Sequence, residues 1–183
     1  MTSFVALLRG VNVGGARSLP MPALREALED AGLSDVRTYL QSGNVVFRAE
    51  SGDARRLAAK VRQCIAEEFA VEADTLVLPC AQMVRVAADN PFLAEQPAPD
   101  VRWLHAAFLF EPIAAETFAA LRLPAGAEER AAFGDGAVYL LLPHGMGRSK
   151  LGAGVGRALG VPVTARNWRT VTSLAAMCEE MAG

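Results

Sequence analysis

Arg9, Asn12, Gly14, Gly15 and Arg17 follow directly on the apolar run Ser3 to Leu8, so one loop collects two guanidiniums, a carboxamide and lightly shielded backbone amides. Such a set can hold an anion, because guanidinium forks and clustered N–H groups match the oxygens of phosphate and carboxylate. Phosphate-cradling loops space two glycines as Gly10 and Gly15 are spaced, but they continue with Lys and Ser or Thr. Here Ala16 and Arg17 follow, with Ser18 one place late. The dinucleotide pattern G-x-G-x-x-G is absent, since Asn12 stands where its second glycine belongs. An anion-binding loop and a glycine-rich structural turn are both open.

Three further polar blocks invite the same question. Gln41, Ser42 and Asn44 flank Gly43, and Arg148, Ser149 and Lys150 open an apolar helical pattern. Thr164, Arg166, Asn167 and Trp168 end one short apolar run and begin another. A helix start offers free N–H groups and partial positive charge, so Ser149 and Lys150 mark an anion site. Each block also has a plain structural reading. Arg9 and Arg166 can pair with carboxylates, Asn12 and Asn44 can satisfy turn backbones, Asn167 can cap a helix, and Trp168 and Tyr39 can pack in a core. Nothing near Ser42 would activate it as a nucleophile. His105 alternates with Trp103 and Ala107 on a strand face and reads as a packed histidine. No spacing of His, Cys, Asp and Glu suggests a metal site, and no residue pattern assigns a catalytic group or a cofactor.

The chain that must position these groups has 183 residues, 52% of them hydrophobic, enough for a sizeable core. Its formal net charge of -2 gives no global field that would draw in nucleic acid; such binding needs a local patch. Cys64, Cys80 and Cys178 are widely spaced and odd in number, which argues against a zinc site or a disulfide framework. No export-signal layout or membrane-length apolar run is present, so a cytoplasmic protein with no membrane partner is expected.

Read in order, Ser3 to Leu8 is a strand and Pro20 with Pro22 start a helix that ends at Gly32. Val36 to Leu40 and Val45 to Phe47 form a hairpin, and Asp53 caps a helix to about Ala70. Thr75 to Leu78 is a strand and Ala81 to Ala88 a short helix. Pro91 to Pro99 carries three prolines and reads as a linker. The order then recurs. Trp103 to Phe110 is a strand, Ile113 to Leu121 a helix, and Ala131 to Phe133 with Val138 to Leu142 a hairpin around Asp135-Gly136. Ser149 caps a helix to Gly160, Pro162 to Ala165 is a strand, and Asn167 caps a last helix.

The expected fold is α+β, a tandem duplication of ferredoxin-like (βαββαβ) units with extra helices. The first subdomain covers 1–90, the linker 91–101, and the second subdomain with its C-terminal helix 102–183. In such a sheet the Arg9 to Arg17 loop lies near Gln41 to Asn44. Ser149 and Lys150 lie near Thr164 to Trp168, at the opposite edge of the second sheet.

The segments Leu7–Gly15, Tyr39–Phe47, Ser149–Leu151 and Thr164–Trp168 resemble, in the same order, the blocks of the bacterial domain of unknown function 1697 family. The likeness spans essentially the whole chain. It implies a two-part α+β fold of ferredoxin-like type and carries no activity, cofactor or catalytic residue with it. Gly152, Gly154, Gly156 and Gly160 depart from the family's expected helix, since each interior glycine costs roughly 1 kcal/mol against alanine. Either that helix is short and loose, or its glycine face packs tightly against a neighbour.

The functional expectation is a protein that binds an anionic, phosphate-bearing ligand, a nucleotide or a nucleic-acid segment, in a cleft between the two repeats. The alternatives are a small-molecule enzyme using the same cleft, or a self-association module that forms a homodimer.

Overall fold

The computed structural model describes residues 1–14, 18–50 and 52–182. Its first four-stranded sheet is built from β1 (Thr2–Arg9), β2 (Ser34–Tyr39), β3 (Asn44–Ala49) and β4 (Asp74–Pro79), with helices α1 (Met21–Asp30) and α2 (Ala54–Phe69) between strands. The strands lie in the order β2-β3-β1-β4, and every neighbouring pair is antiparallel. Phe4, Ala6 and Leu8 of β1 point into one core with Leu24 and Leu28 of α1 and Leu57, Val61 and Ile65 of α2. Val5 and Leu7 face the other way and are equally buried. The apolar run therefore lacks alternation because it is a central strand removed from water on both faces.

Local chemistry sets the element ends. Pro20 is the N-cap of α1 and Pro22 lies in its first turn, where a missing N–H costs nothing. Asp53 caps α2 by accepting from the N–H groups of Arg55 at 2.9 Å and Arg56 at 3.2 Å.

A helix α3 (Cys80–Ala88) follows, and the element order then recurs in β5 (Leu104–Leu109), α4 (Ala115–Ala119), β6 (Arg130–Phe133), β7 (Ala137–Leu141), α5 (Lys150–Leu159), β8 (Val163–Asn167) and α6 (Trp168–Ala182). The second sheet has the strand order β6-β7-β5-β8, again antiparallel throughout. Its core packs Ala107 and Leu109 of β5 and Val138 and Leu140 of β7 against Leu151, Val155 and Leu159 of α5. The chain is thus α+β, with the same strand order in both sheets. Among the described residues no helix is long and apolar enough to cross a membrane.

The contacts divide the chain into Met1–Val84 with Leu174–Gly183, and Arg85–Ser173. The Pro91 to Pro99 stretch, expected as a linker, is tied down within the second of these. Arg130 grips Glu95 through two N–H···O bonds of 2.8 Å, and its guanidinium lies 5.0 Å from the centre of the Phe92 ring. Hydrogen bonding to Arg130 also holds the Glu95 carboxyl below the usual carboxylate range. The helix expected over 113–121 is only Ala115–Ala119, because Ala114 at its N-cap supplies no capping side chain.

The glycine-rich helix is regular, and its glycines are packing positions. A Cβ at Gly154 would lie 2.6 Å from Pro124, one at Gly156 would lie 3.2 Å from Val163, and one at Gly152 would lie 2.5 Å from the Met146 sulfur. The helix ends at Gly160, with φ of 71° in the left-handed region.

Crowding and a positive φ coincide at Gly43, just before β3. Its φ is 78°, and a Cβ there would stand 2.7 Å from both Leu8 Cβ and Val11 Cγ2. Gly43→Ala is expected to cost about 3 kcal/mol from overpacking and left-handed strain together. A urea-unfolding midpoint unchanged from wild type would contradict this.

Candidate functional site

The first polar cluster is assembled as its position in the chain requires. β1 ends where β3 begins, since Leu7 lies opposite Asn44 and the Leu8 N–H donates to Gly43 O at 2.8 Å. Asn12 then joins loop to hairpin. Its Nδ2 donates to Gln41 O at 2.7 Å and to Leu19 O at 2.9 Å, while its Oδ1 accepts from the Leu19 N–H at 2.7 Å. Asn12 holds φ of 55°, a left-handed conformation that Asn tolerates better than most residues. Asn44 is fully buried and donates to Tyr39 O at 2.8 Å and to Ser42 Oγ at 3.0 Å. The two asparagines thus take the turn-satisfying role.

Gly14, Gln41 and Ser42 are exposed on the same loops. Gly15 and Arg17 lie outside the described residues. Arg9 sits at the exposed end of β1 opposite Asp74, and their charged atoms are 3.6 Å apart. A pair so open to water contributes little to stability, but Asp74 offsets the Arg9 charge locally.

At the start of α5 an anion is already supplied by the chain itself. Ser149 caps the helix by accepting from the Gly152 N–H at 2.7 Å. Glu129 Oε2 accepts from the Leu151 N–H at 3.2 Å and from the Gly126 N–H at 2.7 Å. Burial works to raise the Glu129 pKa, but the Ser149 hydroxyl and these two amides outweigh it and hold the carboxyl below its ordinary value. The first amides of α5 are therefore engaged by Ser149 and Glu129, and Lys150 stands exposed beside them. Nothing in the local pattern announces Glu129 at the start of α5, because Ser149 and Leu151 lie about twenty residues ahead of it.

The third block separates into buried and accessible parts. Arg166 is 8% exposed; its Nη1 donates to Thr164 Oγ1 and to Ala165 O, each at 2.9 Å. Burial pushes its pKa down to about 10, so it remains charged at neutral pH. Asn167 caps α6 by accepting from the Thr170 N–H at 2.9 Å. Most of Trp168 is buried, edge-on to Tyr139 with ring centres 6.2 Å apart. His105 is buried, which lowers its pKa, and its Nδ1 lies 3.4 Å from Trp103 O. Among the described residues no three His, Cys, Asp or Glu side chains are grouped so as to hold a metal ion.

What remains accessible at the third block opens onto a pocket of about 580 Å³. Leu93, Val101 and Trp168 give it an apolar lining, and Arg102, Asn167, Arg169 and Thr172 supply polar groups. Arg102 is bound to Asp100, its Nε and Nη2 donating to Oδ2 at 2.9 and 2.6 Å. That hydrogen bonding raises the Arg102 pKa and lowers that of Asp100. Arg169 is exposed and brings the guanidinium not committed to that pair. Sequence reasoning reached Asn167 and Trp168 but not Arg102, Arg169, Leu93 or Val101. The last two come from the proline-rich region, whose packing no periodicity reveals.

Three other pockets mix charges. One of about 580 Å³ is lined by Asp30, Glu67 and Glu68 with Lys60. Another of about 610 Å³ has Glu72 and Asp74 with Arg62, and one of about 500 Å³ has Glu50 with Arg56 and Lys60. Of the four, the pocket at Arg169 alone has no carboxylate in its lining.

The profile of a family described as a protein of unknown function, DUF1697, matches residues 1–139. Among solved structures, the conserved bacterial protein SP0830 from Streptococcus pneumoniae is similar. The two share 22% identity over 97% of this chain and 98% of that one, with a TM-score of 0.70. At that identity the likeness speaks to the fold alone. No curated protein matches the chain.

Two outcomes test the local roles. Asn12→Ala removes three hydrogen bonds and is expected to destabilise by about 1 to 3 kcal/mol, read as a lowered urea midpoint. Glu129 has a depressed folded-state pKa, so its stabilisation is present above the unfolded-state value and is lost as pH falls through the folded one. The stability gap between wild type and Glu129→Gln should therefore shrink as urea unfolding is repeated from about pH 7 down to about pH 3. A gap that stays constant would show that the charge of Glu129 is not what counts.

Proposed function

We propose a ligand-binding function for this chain, which belongs to the DUF1697 family: it takes an anionic, phosphate-bearing ligand, a nucleotide or the end of a nucleic-acid segment, in the pocket at the start of α6. The observation that carries the reading is the charge pattern of that lining. Arg169, with no carboxylate in the lining, and Arg102, held by Asp100, adjoin an apolar wall of Leu93, Val101 and Trp168. A nucleotide has the matching division, a flat apolar base and a charged phosphate. Asn167 and Thr172 add groups that can hydrogen-bond a sugar or base edge. The volume of about 580 Å³ lies within the range of small-molecule sites.

This reading relies on the second unit alone, where all seven lining residues belong. The shared strand order of the two sheets supports reading them as tandem ferredoxin-like units, and it puts the start of α6 at the end of a sheet, where a helix follows its last strand.

The test is calorimetric titration with nucleoside monophosphates and a short single-stranded RNA, on wild type, Arg169→Ala and a distant arginine control, Arg55→Ala. Binding that weakens about tenfold in Arg169→Ala, and is unchanged in Arg55→Ala, is the expected result. Equal affinity in all three proteins, or no heat with any phosphate-bearing ligand, would overturn the reading.

A further inference from the structure

Among the described residues six large apolar side chains are exposed, and three of them, Leu93, Val101 and Trp103, lie between residues 93 and 103. Leu93 and Val101 line the pocket at the start of α6, whereas Trp103 is not part of the lining. Its backbone is nonetheless fixed at the pocket's edge. Arg102, just before it, is a lining residue, and His105, two places on, pairs across β5 and β8 with Asn167, another lining residue. The Trp103 N–H donates to Asp100 O at 2.9 Å, and its carbonyl accepts from the Leu142 N–H at 2.8 Å. The residue is 39% exposed, and among the described residues no ring or guanidinium stacks on its indole. Trp168, by contrast, is 4% exposed and lies edge-on to Tyr139. An indole left in water beside an apolar pocket offers a flat π surface to a second planar group.

We propose that the ligand of this site is single-stranded nucleic acid of at least two nucleotides, one base entering the pocket against Leu93, Val101 and Trp168 and the neighbouring base stacking on Trp103. The inference rests on the pocket reading above and extends it from a mononucleotide to a chain.

Magnitudes favour holding such a chain by its bases. Each phosphate neutralised on a single strand contributes about 0.7 to the fall of log K per decade of salt. The pocket offers Arg169 and an Arg102 already held by Asp100, and the formal net charge of -2 supplies no wider basic field. Stacking on an aromatic side chain needs no charge and is worth roughly tenfold in affinity per base. A duplex does not fit this chemistry, because its base faces already cover one another.

The test is calorimetric titration of the full chain with uridine 5′-monophosphate and 5′-phosphorylated diuridylate, and with their deoxy counterparts, on wild type, Trp103→Ala and Trp103→Phe. The dinucleotide is expected to bind wild type about tenfold more tightly than the mononucleotide. In Trp103→Ala the two probes should bind alike, and Trp103→Phe, which keeps a ring, should retain most of the gain. A gain with either sugar supports the inference, and the tighter of the two distinguishes RNA from DNA. On wild type alone, a salt series with an oligouridylate of about ten nucleotides should lower log K by no more than about 1.4 per decade. That arm and the wild-type comparison stand even if circular dichroism shows a variant to be unfolded. A dinucleotide no tighter than the mononucleotide, a gain that survives Trp103→Ala, or a salt slope steeper than about -3 would overturn the inference and leave the mononucleotide reading in place. No binding by any probe would overturn both.

Discussion

A strand buried on both faces must hydrogen-bond its peptide groups along both edges, because no water reaches them. β1 meets that demand by lying between β3 and β4, and β5 by lying between β7 and β8. Once the two central strands are placed, the positions of the polar loops follow. The chain leaves β1 where β3 enters, so the loop after Arg9 has to meet the hairpin before Asn44. In the second sheet β8 ends opposite His105 at the start of β5, which brings Asn167 and Trp168 to that end of the sheet. The sites are consequences of strand pairing before they are consequences of side-chain chemistry.

Much of the polarity that reads as ligand-binding in the sequence is engaged inside the protein. Asp74 faces Arg9, and Glu129 reaches the first amides of α5. Asn12, Asn44, Ser149 and Asn167 spend their side chains on backbone groups of turns and helix starts. These residue types are favoured at such positions for the same reason that they suit ligands: short polar side chains that reach nearby N–H and C=O groups. Arg169 stands apart because it projects from the first turn of α6 beside an apolar lining with no carboxylate in it. That difference between otherwise similar arginines comes from their neighbours.

How far the sequence could be read depended on the distance between partners. Asp53, Ser149 and Asn167 were legible as caps because the amides they accept from are two or three residues ahead. β1 was legible from its unbroken apolar run, and Asp135-Gly136 marked the turn between β6 and β7. The short α4 was less so, because apolar periodicity over 113–121 says nothing about an uncapped start. The proline-rich stretch reads as a linker, and the ion pair and ring contact that hold it come from Arg130, over thirty residues on. Glu129 and the Leu93 and Val101 lining of the pocket were missed for the same reason.

By itself the sequence determined the α+β class, the recurring order of elements, the helix caps Asp53, Ser149 and Asn167, and the apolar first strand. Those features arise from residues a few places apart, whose backbone preferences and side-chain reach act within one element. Tertiary structure alone decided that Arg169 stands beside a pocket lining with no carboxylate in it, and which amides are already taken. Each of these depends on groups brought together from distant segments by strand order and core packing. The sign of a local field is a property of that assembly, with no counterpart in local spacing.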